Sequence, residues 1–179
     1  TIRLLESSRK FKIKNFIFGS SSSVYGTNEK IPFSEEDHTE NMISPYASSK
    51  RCGEILCDSY SKVYGLNITC LRFFTVYGPR GRPDMAPFMF TDNVFKGKPI
   101  TMFGDGSSER DYTYASDIVN GIIVALEKDF RFEIINLGNS SPTKLVTLIR
   151  VIEKSLGKKA SIIKKPMPAG DVPRTYADI

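Results

Sequence analysis

Tyr46 and Lys50 stand four residues apart in the segment Ser44-Pro45-Tyr46-Ala47-Ser48-Ser49-Lys50. Four serines, Ser20 to Ser23, follow Phe16-Ile17-Phe18-Gly19. Four residues is about one helical turn, so the phenol and the ammonium share a helix face. A phenol in water titrates near ~10, too high for a general base at neutral pH. An ammonium a few ångströms away favours the phenolate, and so does the positive end of a helix dipole. Serine hydroxyls nearby can share the proton with a substrate oxygen. Such a set suits removal of a proton from an alcohol while its hydride leaves. The spacing alone is a weak signal, because this tyrosine and lysine content produces about 0.7 such pairs by chance.

The elements that would position these groups can be read from pattern. Serine at an N-cap with proline at N1 starts a helix at Ser44-Pro45, which runs through Ile55, Leu56, Tyr60 and Val63 and stops at Gly65. Ile2, Leu4 and Leu5 among charges predict the tail of an amphipathic helix over residues 1–10. Phe16-Ile17-Phe18 reads as a strand buried on both faces, and Asn67 to Phe74 as a second. Helix, strand, helix, strand is half of a doubly wound parallel sheet. In such sheets ligands sit beyond the carboxyl ends of the strands. There the serine run, Thr75-Val76-Tyr77-Gly78 and the Tyr46–Lys50 face would collect. From Val76 to Arg110, closely spaced prolines and glycines predict loops and short elements. A helix over Asp117–Lys128, a strand over Glu133–Leu137 and a helix over Leu145–Leu156 follow, and the segment KKPMPAGDVPRTYADI reads as loop.

Composition removes several chemistries. The one histidine, His38, lies in the acidic stretch Glu35-Glu36-Asp37-His38, which reads as solvated loop and leaves no Ser-His-Asp site. Cys52, Cys57 and Cys70 lack CxxC spacing, so no metal site is expected. Three cysteines predict free thiols in a reducing cytosol, hence a cytoplasmic protein. No apolar run approaches the ~20 residues of a membrane helix. The net charge of +5 comes from dispersed residues with short clusters (Lys10, Lys12, Lys14; Lys158, Lys159, Lys164, Lys165). It points to an anionic small molecule rather than to nucleic acid.

Five segments in order, FIFGSSSSVYG, SPYASSK, LRFFTVYGPRGRPDMAP, FGDGSSERDYTYASDIV and AGDVPRTYADI, resemble the extended short-chain dehydrogenase/reductase family. These are the NAD-dependent nucleotide-sugar epimerases and dehydratases, and the resemblance runs over almost the whole chain. It implies an α/β fold, a partial Rossmann-type doubly wound parallel sheet with a small α/β substrate-binding lobe. Residues 1–75 and 115–139 would belong to the NAD-binding domain, and residues 76–114 and 140–179 to the nucleotide-sugar lobe. Tyr46 would be the base, Lys50 would tune it and hold the nicotinamide ribose, and Ser21, five residues before Gly26, would bond the reacting hydroxyl. Ser20 and Phe74 would lie beside the cofactor, and Ser22 and Ser23 beside the sugar. Dehydratases of this group carry Asp-Glu where this chain has Ser22-Ser23, which favours epimerisation. Galactose epimerases usually show asparagine at Thr75, and TVYGPRGRPDMAP is similar instead to the UDP-glucuronate 4-epimerase branch. Thr75 and Arg82 would then face the sugar carboxylate, which a guanidinium fork suits. Met85 would pack beside the uridine, Arg110 would grip the diphosphate, and Asp171 would approach the nucleotide ribose, although Pro168 departs from the pattern beside it. The partner implied is a UDP-sugar, with neither nucleic acid nor membrane, and the helix from Pro45 to Tyr64 would contribute to a homodimer. A UDP-glucose or UDP-N-acetylglucosamine 4-epimerase, a 4,6-dehydratase, and a non-catalytic nucleotide- or RNA-binding module stay open.

The dinucleotide fingerprint G-x-G-x-x-G, or the family's G-x-x-G-x-x-G, is not in this sequence. Its nearest approach is Gly104-Asp105-Gly106, with Glu109 where a third glycine would stand. The resemblance accordingly implies a fragment without the first half of the NAD-binding domain and ending short of the last helices. Such a piece is expected neither to hold NAD tightly nor to turn over substrate, and to leave strands and apolar faces open.

Overall fold

The structure, a computed structural model, describes residues 1–168 and 172–179. In chain order the elements are α1 (Ile2–Lys10), β1 (Asn15–Ser21), α2 (Pro45–Tyr64), β2 (Asn67–Phe73), β3 (Thr75–Tyr77), α3 (Ala86–Phe95), β4 (Ile100–Phe103), β5 (Glu109–Tyr114), α4 (Ala115–Glu127), β6 (Phe132–Leu137), β7 (Pro142–Lys144), α5 (Leu145–Leu156), β8 (Ile162–Lys165) and β9 (Arg174–Thr175). A 3-10 turn, Ser22–Tyr25, follows β1 directly.

The strands β1, β2 and β6 form a parallel sheet in that order. Parallel strands need apolar cover on both faces. On one face α1 and α2 bury Leu5 and Cys57 against Ile68 and Cys70 of β2. On the other lies α4, whose Gly121 sits against Leu137. The central β2 is buried from Ile68 to Arg72. Double-faced burial was also expected of Phe16-Ile17-Phe18, but these residues are only half-buried, because β1 has a strand neighbour on one side alone among the described residues. The outer face of α4 is likewise apolar and exposed at Val119, Ile123 and Val124.

A second group of elements carries its own core. β3, β5 and β7 form one sheet with β9 beside β5, and β4 pairs in parallel with β8. Phe90 and Val94 of α3, Ile100 and Met102 of β4, and Ile149 and Ile152 of α5 pack together. Here the reading of residues 76–110 as loops and short elements gains its particulars. Pro87 lies in the first turn of α3, where a missing N–H costs nothing, so the Pro-rich texture conceals a ten-residue helix. β8 and β9 also order stretches read as loop, through pairings with strands about 60 residues away that no local pattern announces.

The two groups are tied by Asp111 of β5. Its fully buried carboxylate accepts the backbone N–H groups of Asn139 (2.9 Å), Ser140 (3.0 Å) and Ala177 (3.1 Å). Among the described residues no helix is long and apolar enough to cross a membrane.

Candidate active site

The start of α2 is built as its sequence predicts. Ser44 is extended and its Oγ accepts the N–H of Ala47 at 3.1 Å, with Pro45 in the first helical position. That cap puts Tyr46 and Lys50 in the first two turns, beyond the carboxyl end of β1. The Lys50 ammonium donates to the Gly19 carbonyl at 2.8 Å. It lies 5.6 Å from the Tyr46 ring centroid and 5.7 Å from that of Phe18, so it is held between two π faces. The Tyr46 side is open: the residue is 52% exposed, and its hydroxyl makes no hydrogen bond among the described residues. A phenol beside a fixed cation and facing solvent is placed to exchange a proton with a bound hydroxyl.

The serine run closes β1. Ser21 Oγ accepts the N–H of Ser23 and donates to Ser23 Oγ, both at 3.2 Å, capping the 3-10 turn. The turn ends at Gly26, which has φ +56°. A Cβ there would lie 2.0 Å from the Asn41 carbonyl oxygen, so no side chain fits. Ser22, Ser23, Thr75 and Arg110 line one cavity of about 230 Å³, with Ser44 of the α2 cap at its edge. Arg110 also reaches a second cavity, about 200 Å³, with Asp84, Met89 and Phe103. Arg82 and Met85 lie on a third, apolar one of about 330 Å³, with Tyr77, Phe88 and Leu148. A groove of about 530 Å³ along α2 and β6 near Asp58, Lys62 and Arg131 holds none of the predicted site residues.

Not every predicted residue reaches this opening. Ser20 is buried, and its hydroxyl donates to Glu54 at 2.6 Å. Phe74 is buried among Tyr25 and Phe33, with ring centroids 6.4 and 6.5 Å away. Arg82 donates from Nε (3.1 Å) and Nη2 (2.5 Å) to the two oxygens of Asp84, and both side chains are exposed. The Asp84 carboxylate raises the affinity of Arg82 for its proton, and the guanidinium holds Asp84 below the usual carboxylate range. Arg82 therefore already grips a carboxylate, that of its own chain. Asp171 lies outside the described residues.

Sequence reasoning missed the charged group beneath the site. Glu54, fully buried, forms a two-pronged ion pair with Arg72, which is almost as buried. Burial pushes the Glu54 carboxyl up, but the Arg72 guanidinium outweighs it and holds it below its ordinary value. Tyr25, whose hydroxyl donates to Asn136 Oδ1 at 2.7 Å, is raised by burial against the opposing pull of Arg72. The available signals were Glu54 four residues after Lys50 and an arginine inside the apolar run Asn67–Phe74.

Comparison with known proteins places these features in a wider group. Residues 1–138 match the model of the NAD dependent epimerase/dehydratase family. An uncharacterized protein of Methanocaldococcus jannaschii is 52% identical over all of this chain and 55% of its own length. UDP-glucuronate 4-epimerase 5 of Arabidopsis thaliana is 45% identical over 99% of this chain and 45% of its own length. The crystal structure of UDP-glucuronic acid 4-epimerase from Bacillus cereus, in complex with UDP-glucuronic acid and NAD, superposes with a TM-score of 0.92 at 40% identity. It covers 98% of this chain and 56% of that one. The chain spans about half the length of the curated relatives it matches.

Proposed function

This chain belongs to the NAD dependent epimerase/dehydratase family, and from that premise we propose that the full-length gene product inverts C4 of a UDP-sugar, UDP-glucuronate above all. One observation carries the reading: an open phenol at Tyr46 with the Lys50 ammonium 5.6 Å from its ring, at the start of a helix that packs against the Ser22–Tyr25 turn at the carboxyl end of β1. Tyr46 as phenolate takes the C4 hydroxyl proton, and Ser21, exchanging Ser23 for the substrate, bonds the same oxygen. When bound, NAD supplies an acceptor that takes the C4 hydride and gives it back, so no net oxidation results. The 4-keto sugar turns in the site, and Tyr46 returns the proton on the alcohol of inverted configuration. Ser22 and Ser23 lack the proton-transfer chemistry of a carboxylate at neutral pH, which supports epimerisation over elimination of water.

The residues present fit the nicotinamide end of the cofactor. Lys50 has three N–H donors and gives one to Gly19, leaving two for a ribose diol. Residues for the adenosine end are not among these, since the chain has no G-x-x-G-x-x-G loop. At the sugar, Arg82 exchanges Asp84 for the substrate carboxylate and Thr75 approaches the sugar from the cavity of Ser22 and Ser23; Met85 and Arg110 take the uridine and the diphosphate. The domain division follows: residues 1–75 and 115–139 serve the cofactor, and residues 76–114 and 140–179 the nucleotide sugar. The separate cores support it. The proposal extends to a cytoplasmic homodimer paired through α1 and α2. Free thiols at all three cysteines and exposed Leu4, Ile55 and Val63 support this.

Tyr46→Phe in the full-length gene product tests the reading. Conversion of UDP-glucuronate to its C4 epimer should fall at least ~100-fold, with binding of UDP-glucuronate within about threefold of wild type. A phenylalanine variant that epimerises at the wild-type rate removes Tyr46 as the base.

A further inference from the structure

Ser20 of β1, Arg72 of β2 and Asn136 of β6 are register partners across the parallel sheet. Side chains alternate between faces along a strand, so these three emerge together on one face, one rung before the last, Ser21–Phe73–Leu137. Opposite them stands Glu54 of α2, one turn after Lys50 and two after Tyr46. Its Oε1 accepts from Ser20 Oγ (2.6 Å) and Arg72 Nε (2.9 Å), and its Oε2 from Arg72 Nη2 (2.9 Å) and Arg51 Nη1 (3.0 Å). The guanidinium carbon of Arg72 lies 4.8 Å from the Tyr25 ring centroid, and the Tyr25 hydroxyl returns to Asn136. Helix, three strands and the turn after β1 are thus joined in one circuit of hydrogen bonds and a cation–π contact.

A buried ion pair is a poor source of stability, because apolar residues of matching volume commonly do as well or better. What a two-pronged pair supplies is geometry: it fixes both the rotation and the axial position of α2 over the sheet. The contacts on either side of Ser20 are those of the proposed chemistry. Gly19, which receives the Lys50 ammonium, precedes Ser20, and Ser21 follows it. We infer that Glu54 and Arg72 are positioning residues that set Lys50 and Ser21 against Tyr46 for proton transfer. The inference rests on the reading of Tyr46 as the base. Misplacement by about 1 Å can cost ~100-fold in rate.

The test uses the full-length gene product with NAD and UDP-glucuronate. Removing one partner strands a buried charge and endangers folding, so the informative variant is Glu54→Leu with Arg72→Met, apolar on both sides. Its Tm should be at or above wild type while kcat, per folded molecule, falls roughly 10- to 100-fold and KM stays within about threefold. If the double variant does not fold, Ser20→Ala decides: it removes one arm of the circuit, and kcat should fall about three- to tenfold at unchanged KM. Wild-type kcat in the folded double variant, or failing that in Ser20→Ala, overturns the inference. So does a loss that appears wholly in KM. Tyr46→Phe is run in parallel. An active phenylalanine variant sinks the reading of the base, whereas an inactive one beside a fully active double variant sinks only the role of Glu54 and Arg72.

Discussion

Gly53 is a close approach of α2 to the sheet, and Gly53→Ala sets two opposing effects against each other. Alanine is favoured over glycine in a helix interior by about 1 kcal/mol. Against that, a Cβ at position 53 would lie 2.2 Å from Phe18 Cζ, whereas ordinary contact begins at 3.4 Å, so ring or helix must retreat by 1.2 Å. Phe18 has little freedom to yield, since it packs against the core around Leu5, Cys57 and Cys70 and carries the Lys50 ammonium on its face. Overpacking costs typically ~1–3 kcal/mol, and a retreat of 1.2 Å belongs in the upper part of that range, ~2–3 kcal/mol, so the methyl should win and destabilise by about 1–2 kcal/mol net. Urea unfolding of the full-length gene product, followed by circular dichroism, should show a lower midpoint at unchanged slope. Trimming the ring tests the cause: adding Phe18→Leu to Gly53→Ala should recover part of the loss, a coupling that independent sites do not show. An alanine variant as stable as wild type, or a double variant no better than the single one, would refute the close-packing argument.

Three further outcomes follow from the site. Arg82→Ala should lower kcat/KM for UDP-glucuronate by about tenfold or more, and for UDP-glucose by less than about threefold, because only the uronate offers a carboxylate to the fork; equal losses count against the glucuronate assignment. Asp84→Asn should lower KM for the uronate by removing the internal competitor, and steady-state kinetics with the two sugars reads both variants. The third concerns acid. Glu54 is held below its ordinary value of 4.5, so its contribution to stability is full above that pH and lost as pH falls below it. Thermal melts between about pH 7 and pH 3 should show a drop at the acid end that Glu54→Leu with Arg72→Met reduces; an identical drop in both assigns acid lability to other carboxylates.

Much of the site was legible because its signals are local. The Ser44-Pro45 cap, the four-residue spacing of Tyr46 and Lys50, and the Gly65 stop each need only neighbouring residues, and α2 has the predicted limits. The helix over Leu145–Leu156 was legible from periodicity in the same way. What escaped depends on side-chain geometry, much of it between residues remote in sequence. Ser20 looked like one more polar group of the serine run, yet its partner Glu54 is 34 residues away. Arg82 looked available to a ligand, and only the geometry shows Asp84 holding it. Phe74, assigned to the cofactor by resemblance, lies between β2 and β3 and packs with Tyr25 and Phe33. The Pro- and Gly-rich texture concealed α3, since composition does not distinguish a proline that starts a helix from one that forbids it.

The carboxylate of Asp111 has a consequence for cooperativity. It sits in the strand group that the nucleotide lobe would use, and each of its three backbone donors belongs to chain outside that strand: two just past β6 and one at Ala177. Ser140 and Ala177 stand on the same side of the proposed division as Asp111, and Asn139 on the other, so opening the seam between the cores would pull the Asn139 amide from a buried carboxylate, a penalty above that of a hinge lined with solvent. The cores should therefore melt as one calorimetric unit rather than in sequence. Motion during turnover would be confined to side chains and loops at the opening, such as Arg82 exchanging one carboxylate for another, while the bodies on either side of Asp111 keep a fixed separation.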